Sequence, residues 1–552
     1  MAGMVLPELF GTHMMLQREK PIRFEVSVSG TSMFEVLLGK RNADGSFDVV
    51  RSGSFPSDGG TCHVCLEGIG AGTGYVLRLL PDGREEEALE LDDINIGDIW
   101  MACGQSNMEY FLRYDADWSR TRKLARNPLI RMFNVPRIAF EGQEKEQPEC
   151  GYWFEEGDEA WGLFSAPGYS FARTVQQKTG IPVGVVGCNW GGTPACAWMP
   201  ESYFAEEPLH VFVEDYERET APYTYEQLRE MSRKALAFES TFRHQVEWHA
   251  VMHGLTEKEQ ERFVQEHADD PVLPMGPWHH YRPGGLYETM IRKAAPFPVK
   301  GFLWYQGESD TGHADIYDRT MEALLRCFRD TWQDEDLPFL YVQLAPFGHW
   351  LECTNDHYAD LRAAQERASK QLSKAWMASI MDLGSYEDIH PKLKMEVGRR
   401  LALLALGHVY GQDVLCDPPE AESVSLQVLP GEESRAVAVV RFAHAGDGLY
   451  SDGAPAQGFA FSAGGCSLPV LSCSLEGDAV KLTVDLSGLD AGVMDTPETD
   501  AGKAGMAAGA AGGRLPGMEV CVAYADEDYC ETHLWSSAGL SAKPFRTCVK
   551  IS

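Results

Sequence analysis

Between residues 94 and 410, apolar runs alternate with helical patterns, and this alternation limits the possible folds more than any other feature of the chain. The runs lie at 96–102, 181–188, 299–305, 338–344 and 376–382. Helical patterns lie at 173–178, closed by Gly180, and at 316–332, 358–372 and about 392–407. Short apolar runs bounded by polar turns read as strands buried on both faces. Strands alternating with helices make βαβ units, so the expectation is an α/β core with a doubly wound parallel sheet. The span 200–297 breaks the alternation. It is rich in Glu, Arg, His and aromatics and is expected to be a mostly helical insertion.

On either side the period falls to two. Apolar residues alternate at 22–28, 33–38, 62–66 and 75–80, with turn clusters at 42–46 and 57–60. The pattern returns at 424–429, 436–442, 479–484 and 518–523. Short strands so spaced suggest β sandwiches. The predicted organisation is an N-terminal β domain (1–93), a central α/β domain (94–410) and a C-terminal β domain (411–552). Segment 491–513, rich in Ala and Gly, reads as a flexible loop. Its Gly502-Lys503 lacks the upstream glycine of a phosphate loop, so nucleotide binding is set aside.

The 552 residues hold 48 Lys+Arg against 82 Asp+Glu, a net charge of −34. Such a surface repels phosphate backbones and anionic lipid heads, which disfavours nucleic-acid and membrane partners. No stretch reaches the ~18 apolar residues of a membrane span. The first ten residues lack a basic segment followed by an apolar core, so a cytoplasmic location with reduced thiols is expected for the 14 cysteines. The pair Cys62 and Cys65 lies in an alternating run and reads as strand packing rather than a metal or redox motif.

Four of the five apolar runs end in a group that acyl transfer uses. Gly104-Gln105-Ser106-Asn107-Met108 follows the first and presents a serine at a turn into a helix, as nucleophile or as a helix cap. Asn189-Trp190-Gly191-Gly192-Thr193 follows the second, where a glycine N–H can face an oxyanion. Trp304-Tyr305-Gln306-Gly307-Glu308 ends the third with a side-chain amide. Glu387-Asp388-Ile389-His390-Pro391 follows the fifth with a base and two carboxylates. Met108 stands where a Gly-x-Ser-x-Gly elbow needs glycine, which disfavours an ordinary α/β-hydrolase. The paired His279-His280 has no strand-end context and reads as surface or core.

Together these motifs resemble those of the sialate O-acetylesterases of the SGNH hydrolase superfamily. The likeness extends to Leu6-Pro7 and Met15-Leu16-Gln17-Arg18-Glu19-Lys20-Pro21, to Gly97-Asp98-Ile99-Trp100, and to Gly539-Leu540 with Pro544-Phe545-Arg546. The resemblance implies an SGNH-type core flanked by β-sandwich-like domains, with Ser106 as nucleophile and His390 as general base. It implies an oxyanion hole of the Ser106 and Gly191 N–H groups with the Gln306 amide. Asp388 is the favoured partner of His390. Glu387 is the rival, and a Ser–His dyad oriented by a backbone carbonyl is a further option.

The implied reaction removes O-acetyl groups from sugars through an acetyl-serine, with no metal or cofactor. O-acetylated sialic acid is the first substrate. Acetylated xylan or mannan fragments are the alternative, and a catalytically silent carbohydrate-binding protein is the reading from another class. Trp190, Trp198, Trp304 and Tyr305 are candidates to stack on a sugar, with at least two expected in the core. In so acidic a molecule, a sialate carboxylate calls for a local Arg, Lys or cluster of N–H donors beside Ser106. The oligomeric state is left open.

Overall fold

The computed structural model describes residues 4–27, 30–143, 150–240, 256–295, 297–351, 353–429, 432–453, 457–489 and 518–550. Segment 491–513 lies outside these residues, as does part of the 200–297 span.

The core is a large mixed sheet of 13 strands. Six of them form a continuous parallel half: β1 (Leu89–Gly104), β2 (Ile130–Asn134), β3 (Val183–Asn189), β4 (Gly301–Tyr305), β5 (Phe339–Val342) and β6 (Ala375–Ala378). Their spatial order is β2-β3-β1-β4-β5-β6. The chain therefore reverses direction across the sheet on either side of β1, and a ligand crevice is expected beyond the carboxyl ends at that point.

β1 is 16 residues long and serves two neighbourhoods. Its first half pairs antiparallel with Gly72–Pro81 and parallel with Met15–Gln17. Its second half pairs with β3 and β4. Three bonds fasten the crossover: the Gln17 amide and the Arg18 guanidinium both donate to Asp98 Oδ1, and the Ile99 N–H donates to Gln17 Oε1 at 2.8 Å. The remaining N-terminal strands (Met33–Arg41, Phe47–Asp58, Thr61–Leu66, Ile22–Ser27) continue outward antiparallel. Cys62 is buried and Cys65 exposed on Thr61–Leu66, in keeping with strand packing.

Five helices matter to the site: α1 (Ser106–Glu109), α2 (Ala166–Thr179), α3 (Tyr317–Trp332), α4 (Tyr358–Gln371) and α5 (Lys394–Leu404). α2 begins earlier than its apolar pattern, because the Ser165 hydroxyl caps the Gly168 N–H at 3.1 Å. Gly180 ends it in a left-handed conformation. In the 200–297 span the described residues form Val211–Thr220, Tyr225–Glu239 and Glu257–Glu266, all helical.

Beyond α5 the chain is again β. Glu420–Leu429, Glu432–Ala443, Ala479–Asp485 and Val470–Glu476 form one sheet. Cys466–Leu468, Phe459–Ala463, Glu519–Tyr524 and Phe545–Lys550 form another. Their inner faces share a core that includes Ala438, Val440, Leu482, Phe461 and Val522. The expectation of reduced thiols is corrected at one pair: Cys521 and Cys548 face each other across neighbouring strands and form a disulfide. Among the described residues no helix is long and apolar enough to cross a membrane.

Sequence reading misses β2 and Phe47–Asp58. Arg131 interrupts the apolar run of β2, yet it is 2% exposed because Asp93 (2.9 Å) and Glu155 (2.7 Å) take its charge. Phe47–Asp58 is largely solvent-facing, so it carries no strong apolar alternation.

One buried ion pair joins the C-terminal strands to the core. Arg400 on α5 binds Asp382 through two bonds of 2.6 and 2.7 Å, and the Trp535 indole N–H donates to the same carboxylate at 2.8 Å. Removing one partner of a buried pair leaves an uncompensated charge. Asp382→Ala should therefore lower stability by about 3–5 kcal/mol in urea unfolding; a loss under about 1 kcal/mol would show that the pair contributes little.

Candidate active site

Strand register brings the first three motifs to one level. Asn189 of β3 and Tyr305 of β4 both lie opposite Gly104, the last residue of β1. Backbone bonds continue this beyond the strands: Gln105 N–H to Tyr305 O at 3.2 Å, and Trp190 N–H to Gly104 O at 3.1 Å. Gly104 has φ +138°, and a Cβ there would sit 2.2 Å from Tyr305 O, so only glycine fits.

Ser106 is the first residue of α1; Gln105 occupies the cap position without a side-chain bond to the helix, its amide being engaged by Gly307 and Ser309. The Ser106 hydroxyl is thus not used as the cap. Gly191 lies beside it, since a Cβ on Gly191 would fall 3.4 Å from Ser106 Cβ.

His390 arrives on the loop between β6 and α5. It is 2% exposed and stands edge-on to the Trp350 ring, 5.2 Å between centroids. Asp388 Oδ1 accepts the His390 backbone N–H at 2.8 Å and lies 3.8 Å from Nδ1. Its other oxygen pairs with Lys392 at 2.8 Å. Glu387 is exposed.

The serine and histidine segments are tied through their sequence neighbours. The Asn107 amide donates to Ile389 O at 3.0 Å and to Glu308 Oε1 at 2.5 Å, and its oxygen accepts from Lys394 Nζ at 2.5 Å. Lys394 is fully buried over the rings of Tyr110 and Tyr305. Burial lowers its pKa to about 7 against the pull of Glu308, and burial raises that of Glu308. Sequence reading misses Lys394: it is the first residue of a helix and nothing local marks it as buried.

Two donors read as oxyanion groups are engaged within the protein. The Gly191 N–H donates to Glu109 Oε2 at 2.6 Å, while Arg137 holds Oε1 of the same carboxylate. The fully buried Gln306 amide donates to Thr193 O at 3.2 Å and to Asp310, and its oxygen accepts from the Tyr317 hydroxyl at 2.7 Å. Arg137 reaches the serine helix only through Glu109, with which it is already paired.

Of the four candidate stacking aromatics, Trp198, Trp304 and Tyr305 are core residues. Trp190 is partly buried and stacks on His280 at 4.6 Å. His280 and Tyr281 therefore pack on the Trp190–Gly192 turn and His279 stacks on His280, which answers to the core option for the two histidines and places them next to the strand end. Burial lowers their imidazole pKa values to about 4 and about 3. The Tyr281 hydroxyl fills the place of a Gly192 Cβ, only 1.8 Å from where that atom would be.

Asp310 supplies a pH test of this arrangement. Burial raises its carboxyl from 3.8 to about 6, against bonds from the Ala195 N–H and the Gln306 amide. The folded state holds this proton more tightly than the unfolded state. The associated stability is thus full below about pH 4 and is lost as pH rises through about 6, a change of about 3 kcal/mol. Asp310→Asn should abolish this component, so urea unfolding of both proteins at about pH 4 and pH 7 should show wild type losing relative stability on the alkaline side. Parallel behaviour would mean an unshifted carboxyl.

Residues 274–406 match the family described as carbohydrate esterase, sialic acid-specific acetylesterase. A sialate O-acetylesterase of Rattus norvegicus is 26% identical over 354 residues, 59% of this chain and 58% of that protein. Its Homo sapiens counterpart is 24% identical over 366 residues, 61% and 58% of the two chains. The matched region thus spans under two thirds of these curated relatives. The crystal structure of a carbohydrate acetylesterase from Xanthomonas citri is 25% identical, covers 99% of both chains and superposes with a TM-score of 0.68. By motif, by sequence and by fold, the chain is related to the sialate O-acetylesterase family of carbohydrate esterases.

Proposed function

We propose that the chain is a serine esterase that removes O-acetyl groups from sugars. On this reading the sheet is an SGNH-type hydrolase core over residues 94–410, with β-sandwich-like units at 1–93 and 411–552. The observation that carries the proposal is the shared level of Gly104, Asn189 and Tyr305, with the His390 segment bonded to Asn107 beside Ser106.

In this mechanism Ser106 Oγ gives its proton to His390 and attacks the acetyl carbonyl. The tetrahedral oxyanion takes the N–H groups of Ser106 and Gly191. Glu109 must first leave the Gly191 N–H, and its bond to Arg137 gives the carboxylate a place to remain. The Gln306 amide would join as a third donor only by releasing Thr193 O or Asp310. The sugar oxygen leaves with the proton from His390, and water activated by His390 then cleaves the acetyl-serine. Asp388 is the carboxylate beside His390 and holds its loop; the exposed Glu387 is the weaker choice.

O-acetylated sialic acid is the substrate we infer first, with Arg137 as the group that meets its carboxylate. A neutral acetylated sugar, such as a xylan or mannan fragment, is the second reading. It is favoured by the Glu109 carboxylate already on Arg137, in a chain of net charge −34.

Ser106→Ala should lower kcat/KM on p-nitrophenyl acetate by about a thousandfold without changing the fold; retention of most activity would remove Ser106 from the mechanism. In acetate release, Arg137→Gln should lower turnover of both sugars, because Glu109 loses its resting partner, and should lower that of O-acetylated sialic acid by about tenfold more than that of acetylated xylo-oligosaccharides. Wild-type turnover of the neutral sugar alone would establish the second reading. Sugar binding with no turnover of any substrate would instead support a silent binding protein.

A further inference from the structure

A cluster of metal-type donors lies where the core gives way to the C-terminal strands, at the end of α5 remote from His390. α5 runs into a π-helical turn, Ala405–Val409, that carries His408, and the chain then reaches Cys416 and Asp417 before Glu420–Leu429 begins. Eleven residues of helix place this cluster roughly 16 Å along the axis from the His390 end.

The three side chains converge through their ligand atoms. Cys416 Sγ lies 3.5 Å from His408 Nε2 and 3.6 Å from Asp417 Oδ2, and His408 Nε2 lies 2.9 Å from Asp417 Oδ1. Tetrahedral zinc has bonds of about 2.3 Å to sulfur and about 2.0 Å to nitrogen and oxygen. From those lengths the S···N and S···O edges of the tetrahedron are about 3.5 Å and the N···O edge about 3.3 Å. The S···N edge is met as it stands and the S···O edge is met by Asp417 Oδ2, which is the ligand oxygen; the 2.9 Å contact of His408 is to the other oxygen, Oδ1, and gives way when Nε2 turns to the ion.

The surroundings fix the donors. Cys416 is 8% exposed and its sulfur rests where a Cβ of Gly407 would be, 2.4 Å from that position. The His408 ring stacks on Trp376 at 4.6 Å and 9°. His408 is exposed overall and Asp417 partly so, with side chains 26% and 28% exposed, which leaves an entry path. The cluster of His13, Asp93 and Glu155 is less suited, because Arg131 already bridges Asp93 and Glu155.

We propose that Cys416, His408 and Asp417 form a zinc site, three protein ligands with a fourth position open, that clips the end of α5 to the segment entering the C-terminal strands. On binding, the Cys416 thiol loses its proton to solvent. His408 coordinates through Nε2 with its proton on Nδ1, and one thiolate and one carboxylate balance the two positive charges of the ion. Its fourth ligand is water.

The test is titration of the metal-stripped full chain with Zn2+ alone, followed by calorimetry and by thermal melting. The expected result is one ion per chain, a rise in melting temperature, and affinity at least tenfold weaker in Cys416→Ala and in His408→Ala. Cys65→Ala, which removes an exposed thiol elsewhere, should bind as wild type does. Co2+ in place of Zn2+ should give a thiolate charge-transfer band that Cys416→Ala loses. Circular dichroism checks that each variant is folded, and Cys416→Ser takes the place of Cys416→Ala if the alanine variant is not. Absence of stoichiometric Zn2+ uptake, or wild-type affinity in folded Cys416 and His408 variants, would overturn the proposal.

Discussion

The register of β1 is the constraint on which the site depends. Its partners on both sides are fixed residue by residue, so the ends of three strands can meet at Gly104 only in one alignment. A slip of one residue would exchange the two faces of β1, which is buried almost throughout its second half. The bonds of Gln17 and Arg18 to Asp98 guard that alignment from the N-terminal side, far from the serine in sequence. The N-terminal strands thus bear on the level at which the strand ends meet.

Below the serine lies a second determinant, made of polar groups. Asn107 uses its amide hydrogens for Glu308 and Ile389 and its oxygen for Lys394, joining elements from three distant parts of the chain. Buried polar networks of this kind specify one arrangement among many of similar packing quality, because a misplaced member would be left unpaired in a low-dielectric interior. The near-neutral titration of Lys394 is the cost of that specificity and follows from its complete burial.

Five of the six parallel strands, and the residues at the ends of three of them, are legible in the sequence, because apolar runs break abruptly at Gly104, Asn189 and Gln306. The position of Asp388 against the exposed Glu387 needed coordinates, since both are local neighbours of His390. Arg137, Lys394 and the His279–Tyr281 segment were not legible as parts of the site. Each comes from a stretch with no motif of its own and reaches the strand ends only through tertiary packing. The Glu109 bond to Gly191 was likewise hidden, although Glu109 follows the serine motif directly. The aromatics follow the expectation that at least two are core residues: Trp198, Trp304 and Tyr305 are buried, and Trp190 alone of the four is partly exposed.

The carboxylate of Asp382 has a consequence for the stability of the histidine loop. It receives Arg400 from α5 and Trp535 from the C-terminal strands, and α5 begins four residues after His390. Loosening of the C-terminal strands would leave Arg400 with one partner fewer at the helix that supports the histidine loop. The C-terminal strands therefore act as a remote brace on the His390 loop, so that the stability of the loop and that of the strands are coupled through one carboxylate.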